Sequence, residues 1–372
     1  MTRLLRRQLR KSVESPARKH GSASLSPTDA ATGIDVFAKL NRQPLSFQRV
    51  ATILGILVVV LLLTTLAGLS VGSVSVSFTN VVNSLVNCDC VDATERAIII
   101  DIRLPRLLLA MIVGAGLSVA GAVLQALLRN PLAEPYILGI SSGGTVGAIL
   151  AIGFVSAGGA FITPLASLAG SILVMLLVYS LGHRHGLLDT NALLLAGVMV
   201  GAFFNAAVLL IIALFNQELR NSFLWLMGNF SSANLQSLAI VSPLILIATG
   251  FLLLQSKKYN LIATGDETAL QLGVEVRRLK RLSYLAASLI TGLVVSVSGV
   301  IGFVGLIIPH ICRMIFGPDH RLLLPASILL GASFMIVADI LSRILLAPTE
   351  IPVGAITAAI GAPLFVWLLK RT

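Results

Sequence analysis

Charge is scarce in this chain. Of 372 residues only 12% are Asp, Glu, Lys or Arg, against 56% hydrophobic, and mean hydropathy is +0.95. A soluble domain of this size needs far more polar surface than that, so the composition excludes one and points to a membrane protein. Cysteine is scarce too: Cys88, Cys90 and Cys312 cannot build a disulfide framework, and stability has to come from helix packing. A disulfide between Cys88 and Cys90, two residues apart, would be strained; a haem or metal contact is the alternative, and the "NCDC" stretch is left without a role. No G-x-x-x-x-G-K-[ST] loop occurs, which excludes this chain as the part of any machine that binds ATP. Metal-ligand spacings are missing as well: His183 and His185 flank Arg184, His310 and Cys312 end an apolar run, and His320 follows Asp319. No metal site is expected. No paired carboxylates sit within the apolar runs, which argues against an intramembrane enzyme.

Long apolar runs are what the chain has in abundance. Crossing a hydrocarbon core of about 30 Å takes roughly 20 apolar residues as a helix, and helices satisfy their own backbone groups where no water can. The alternating pattern of a membrane barrel is absent. The sequence therefore predicts an all-α polytopic membrane protein with ten transmembrane helices, near 51–69, 106–128, 137–155, 162–181, 193–215, 238–254, 282–298, 301–316, 322–341 and 351–369. The run from Leu282 to Phe316 is too long for one crossing at about 1.5 Å per residue, so it folds back at "SVSGVIG", and Pro309 kinks or ends the helix that follows.

Basic residues orient the bundle. With both termini on the cytoplasmic side, 22 of the 27 Lys and Arg residues lie inside, as the positive-inside rule requires. The net charge of +11 thus reflects one membrane face and lipid contact, not nucleic acid. Residues 1–49 read as a basic, flexible cytoplasmic tail, whose apolar run begins too far from its first arginines for a signal peptide. Residues 50–372 form the membrane domain. Within it, residues 258–281 interrupt the apolar pattern with "GDETALQLGVEVRRLKR", an amphipathic stretch in which Leu270, Val274 and Leu279 fall near one side. Such a segment needs a receiver outside the lipid.

Three blocks carry a resemblance: "RLPRLLLAMIVGAGLSVAGAVLQALLRNPLAEPYILGISSGG" from residue 103, the polar stretch just quoted, and "GFVGLIIPHICRMIFGPDHRLLLP" followed by "ADILSRILLAPTEIPVGAITAAIGAPLFVWLLKR". Together they resemble the permease subunits of type II ABC importers, the family that takes up iron-siderophore complexes, haem and cobalamin. The resemblance implies the ten-helix permease fold in a bacterial inner membrane. It also implies a second permease copy, expected as a homodimer, a cytoplasmic ATPase dimer that binds ATP and Mg, and a periplasmic solute-binding protein. No cofactor is expected in this chain itself.

Site roles follow from the same resemblance. Gly265, Asp266, Glu267, Ala269, Leu272 and Gly273 match the segment that couples to the ATPase. Arg103, Arg106 and Arg343 match positions that dock the binding protein; interfacial anchoring for the first two, and a local pair with Asp339 for the third, are the alternatives. Asn130 and Leu132, with Thr190 and Asn191, border the inner mouth and form a cytoplasmic gate, although "DTNALLLAG" departs from the Ser/Thr-rich form expected there. The implied function is ATP-driven import of an iron chelate, siderophore or haem, with cobalamin as the alternative cargo. An ion-coupled secondary transporter is the alternative of another class, and it would call for charges near mid-membrane.

Overall fold

A computed structural model describes residues 45–370 apart from 73, 75, 87, 89, 155–160, 185–186 and 215–225. The basic tail up to residue 44, and His185, lie outside the described residues. The first helix, α1 (Phe47–Ser70), begins where the Ser46 side chain accepts the Arg49 backbone N–H at 3.2 Å. Two short helices follow, α2 (Phe78–Leu85) and α3 (Ala93–Ala97), and a π-helical turn (Ile98–Arg103) leads into α4 (Leu104–Leu128). A 3-10 turn (Pro135–Leu138) precedes α5 (Ile140–Phe154); α6 (Ile162–Gly182) ends in a two-stranded hairpin, His183–Arg184 with Leu187–Leu188, before α7 (Thr190–Leu214). The chain continues through α8 (Leu235–Leu254), α9 (Ser256–Ala263), α10 (Asp266–Gln271), α11 (Val276–Ser298), α12 (Val304–Phe316), α13 (His320–Ile344) and α14 (Val353–Leu369).

Helix α4 is the axis of the molecule. It is apolar all round and buried along almost its whole length, packed against α8, α11, α12 and α13. Lipid tails give helices no hydrophobic reason to associate, so close packing at small residues has to hold them together. At Gly114 an added Cβ would overlap the Gly331 carbonyl of α13, and at Gly121 it would overlap the Gly305 carbonyl of α12. Two helices thus touch α4 backbone to backbone. Helix α1, in contrast, fully buries only Leu57, Gly68 and Leu69; it rests one side on α13 with Ile53 and Leu61 half-buried and leaves Ile56, Val59, Leu62 and Leu63 outward, as a lipid-facing helix does.

Each of the ten apolar runs contains a helix among the described residues. Among the described residues, seven helical stretches are long and apolar enough to cross a membrane, and α5, α12 and α14 are shorter apolar helices. The fold-back between α11 and α12 lies where the sequence places it: α11 ends at Ser298, Gly299 takes φ +70°, and Phe303 takes φ +69° before α12 starts. Two details differ from the sequence-based expectation. Helix α11 begins at Val276, inside the polar stretch, because Arg277, Arg278 and Arg281 lie on its exposed side while Val276, Leu279 and Lys280 turn inward. Of the two outcomes expected of Pro309, it does not end α12, and it leaves no bare carbonyl. Lacking an N–H, it cannot serve the Gly305 oxygen, and the buried Gln125 side chain of α4 donates there instead at 3.2 Å. Cys88 and Cys90, also against expectation, are joined in a disulfide, their Cα atoms 5.2 Å apart and within the usual reach.

Candidate functional site

The polar interruption is two short helices and a turn, held down on one side. Gly265 takes φ +133° and Gly273 φ +81°, conformations that L side chains rarely adopt, and between them α10 is a single rigid step. Beneath it, the Tyr259 hydroxyl pairs with Ser283 Oγ at 2.8 Å, and Asn260 donates to Asp319 Oδ1 at 2.8 Å. The Asn260 Oδ1 accepts the His320 backbone N–H at 2.9 Å, so α9 is tied to the start of α13. Lys280 of α11, itself buried, meets Asp266 at 2.5 Å. Ala269 and Val274 face inward.

What points outward is unusual for a polar surface. Leu270 and Leu272 are 58% and 60% exposed beside the exposed Glu267. Leu270 therefore lies opposite Val274 and Leu279 and not with them: the chain breaks between Gln271 and Val276, so one continuous helical period does not run through the segment. Of the residues expected to couple, Glu267, Leu272 and Gly273 are exposed, Gly265 and Asp266 are half-buried, and Ala269 is wholly buried. Two leucines and a carboxylate on a braced step form a surface suited to a protein partner.

At the opposite end of α4 the three arginines come together. Arg106 Nε meets Asp339 Oδ1 at 2.6 Å, and its Nη1 lies 2.9 and 2.8 Å from the two Glu350 carboxylate oxygens. Arg343 meets the other Asp339 oxygen at 3.1 Å and donates to the Val71 and Gly68 carbonyls. Arg103 donates to the carbonyls of Leu69, Ser70 and Val74. All three are 6–8% exposed. Their donors are largely taken up inside the chain, stitching the connector after α1 to α4 and α13, and Glu350 is the exposed member of the cluster with 43% of its side chain accessible.

The four residues expected at the inner mouth lie around the C-terminal end of α4. Asn130 Oδ1 accepts the Leu132 N–H at 2.9 Å in a local turn, after Arg129 closes α4 in a left-handed conformation. Asp189 caps α7 through the Ala192 N–H at 2.7 Å, leaving Asn191 exposed. Thr190 lines a crevice with Leu128, Lys280 and Tyr284, which joins the foot of α7 to the segment above. No hydrogen bond joins Asn130 or Leu132 to Thr190 or Asn191 among the described residues. Sequence reasoning missed Gln125, although a lone amide in an apolar run was a signal, and it missed Glu350, whose loop carries none.

A family model closes the question of kinship, matching residues 58–371 under the description FecCD transport family. The chain belongs to that family. Among relatives of this FecCD permease, the hemin transport system permease protein of Yersinia pestis is 41% identical over 86% of this chain and 95% of its own length. A cobalamin import system permease protein of Halobacterium salinarum is also 41% identical, over 75% of each chain. A solved structure described as an inward-facing conformation of a metal-chelate type ABC transporter matches with TM-score 0.77 at 33% identity, covering 86% of this chain and 99% of that one. The FecCD permease is thus a multi-pass membrane transport protein of the ABC permease type.

Proposed function

We propose that this chain is the inner-membrane permease subunit of an ATP-driven importer that moves an iron chelate, haem or a siderophore complex. Its ten apolar helices cross the membrane with both termini cytoplasmic, beside a second copy of the chain. The observation that carries the coupling role is the braced step bearing Glu267, Leu270 and Leu272, exposed apolar surface on a chain with no nucleotide loop of its own. A cytoplasmic ATPase, which holds ATP and Mg, receives that step. Movement passes through Lys280 and α11 to the crevice at Thr190, which α4, α7 and α11 line together, and Asn130, Leu132 and Asn191 border the gate. Arg103, Arg106 and Arg343 serve docking of a periplasmic binding protein by holding the outer connector and Glu350 in place.

Support for an iron-bearing cargo is the breadth of the match to the hemin permease, which extends over more of both chains than the equally identical cobalamin relative. Cobalamin is the second cargo, favoured by that same identity. Vesicles holding the permease, its ATPase and its binding protein should take up haem or a ferric chelate when ATP is supplied. Uptake of cobalamin alone would overturn the cargo and leave the permease role standing.

A further inference from the structure

Beside the foot of α8 lies a cavity of about 260 Å³ that the coupling role does not use. Its walls come from Phe251 and Gln255, from Lys258 of α9, from Glu275 just before α11, and from Arg278 and Leu282 of α11. The cations there are available. Lys258 is exposed and has no ion pair among the described residues, and Arg278 has only Glu275 at 3.8 Å, with both side chains well exposed. Exposed pairs at that distance hold weakly, so Arg278 can turn to a better anion.

Directly next to the cavity, Leu254 is 82% exposed, and along the same helix Ile247 and Leu246 are 71% and 64% exposed. A ligand fitting here has an anionic part for two cations and an apolar part continuous with the flank of a membrane helix. Free phosphate has only the first and a neutral lipid only the second. Basic side chains at the edge of an apolar span are the usual seat of an acidic headgroup.

We propose that this cavity binds one anionic phospholipid, its phosphate between Lys258 and Arg278 and its acyl chains along Phe251, Leu282 and the exposed side of α8. The lipid then bridges α9 and α11, the two helices that hold the α10 step, and so braces the segment from its membrane side. The proposal rests on the membrane-spanning reading of α8 and α11 and needs no ATPase, so its test is independent of the coupling role.

The full-length chain, purified into phosphatidylcholine nanodiscs with graded phosphatidylglycerol, is examined by native mass spectrometry for retained lipid. One phosphatidylglycerol per chain is expected, and Lys258→Gln with Arg278→Gln should lower the preference over phosphatidylcholine on the order of 30-fold, about fivefold per cation. The charge-keeping pair Lys258→Arg and Arg278→Lys should retain the lipid. So should Lys257→Gln with Arg277→Gln, which removes equal charge from exposed positions outside the cavity. Equal loss in the two neutralised pairs, or undiminished retention in the first, would overturn the assignment. Displacement of the lipid by inorganic phosphate alone would overturn it in favour of a free-anion site.

Discussion

Single atoms decide how closely α4 meets its neighbours. Gly121→Ala would place a methyl group on the Gly305 carbonyl oxygen, so α4 and α12 must separate; thermal unfolding in detergent should show a loss of several degrees. Gly55→Ala on the lipid-facing α1, where nothing lies within 4 Å of the added carbon, should cause no loss and raise the midpoint slightly by stiffening the helix. Gln125→Leu should cost about 1–3 kcal/mol, because it strands the carbonyl left by Pro309 and also removes the oxygen that accepts from Arg313 at 3.0 Å. Asp319 makes a prediction about pH. Partial burial alone would raise its carboxyl, but hydrogen bonds from Arg321 and Asn260 outweigh that and hold it at about 2. A carboxyl lowered on folding stabilises above its unfolded pKa of about 4, and the benefit is lost as pH falls through 2. Asp319→Asn should therefore lower the unfolding midpoint by the same amount at pH 5 and pH 8. A difference that grows or vanishes within that window would contradict the bonding described here.

At the scale of elements, the polar interruption acts as a step with a braced underside and an apolar outer face. Leu270→Asp with Leu272→Asp should leave the bundle folded, since both side chains are outside it, while nucleotide hydrolysis by the partner no longer drives uptake. Hydrolysis and uptake measured together in vesicles check this; unimpaired transport would remove the step from the coupling path. The existence of such an interruption was legible in the sequence, because eight charged residues cannot hide between two apolar runs. Its internal geometry was not. Periodicity across Leu270, Val274 and Leu279 assumed one helix, whereas Gly273 opens the chain and reverses which leucine faces out. The fold-back of α11 onto α12 was legible for the opposite reason: a mostly apolar run of 35 residues overruns one crossing, and Gly299 marks the weakest point. Pro309 shows a limit of local rules: the proline announces a lost backbone bond, but the group that serves the stranded carbonyl is Gln125, 184 residues earlier in the chain.

At the scale of the whole molecule, composition and apolar run lengths were enough to give the all-helical membrane class, and the three sequence blocks gave the family. The arginine cluster shows where that approach stops. Arg103, Arg106 and Arg343 are far apart along the chain, and only the fold brings them to Asp339, Glu350 and the carbonyls after α1, where they are buried partners more than open contacts. A bundle so stitched at one end and so tightly packed along α4 suits the proposed permease driven from its other end. The central claim is that this chain contains a path and a lever but no engine. Uptake by vesicles containing the permease, filled with ATP, measured with and without the partner ATPase, tests it most directly. Cargo should accumulate only when the ATPase is present, and accumulation at full rate in its absence would contradict the account.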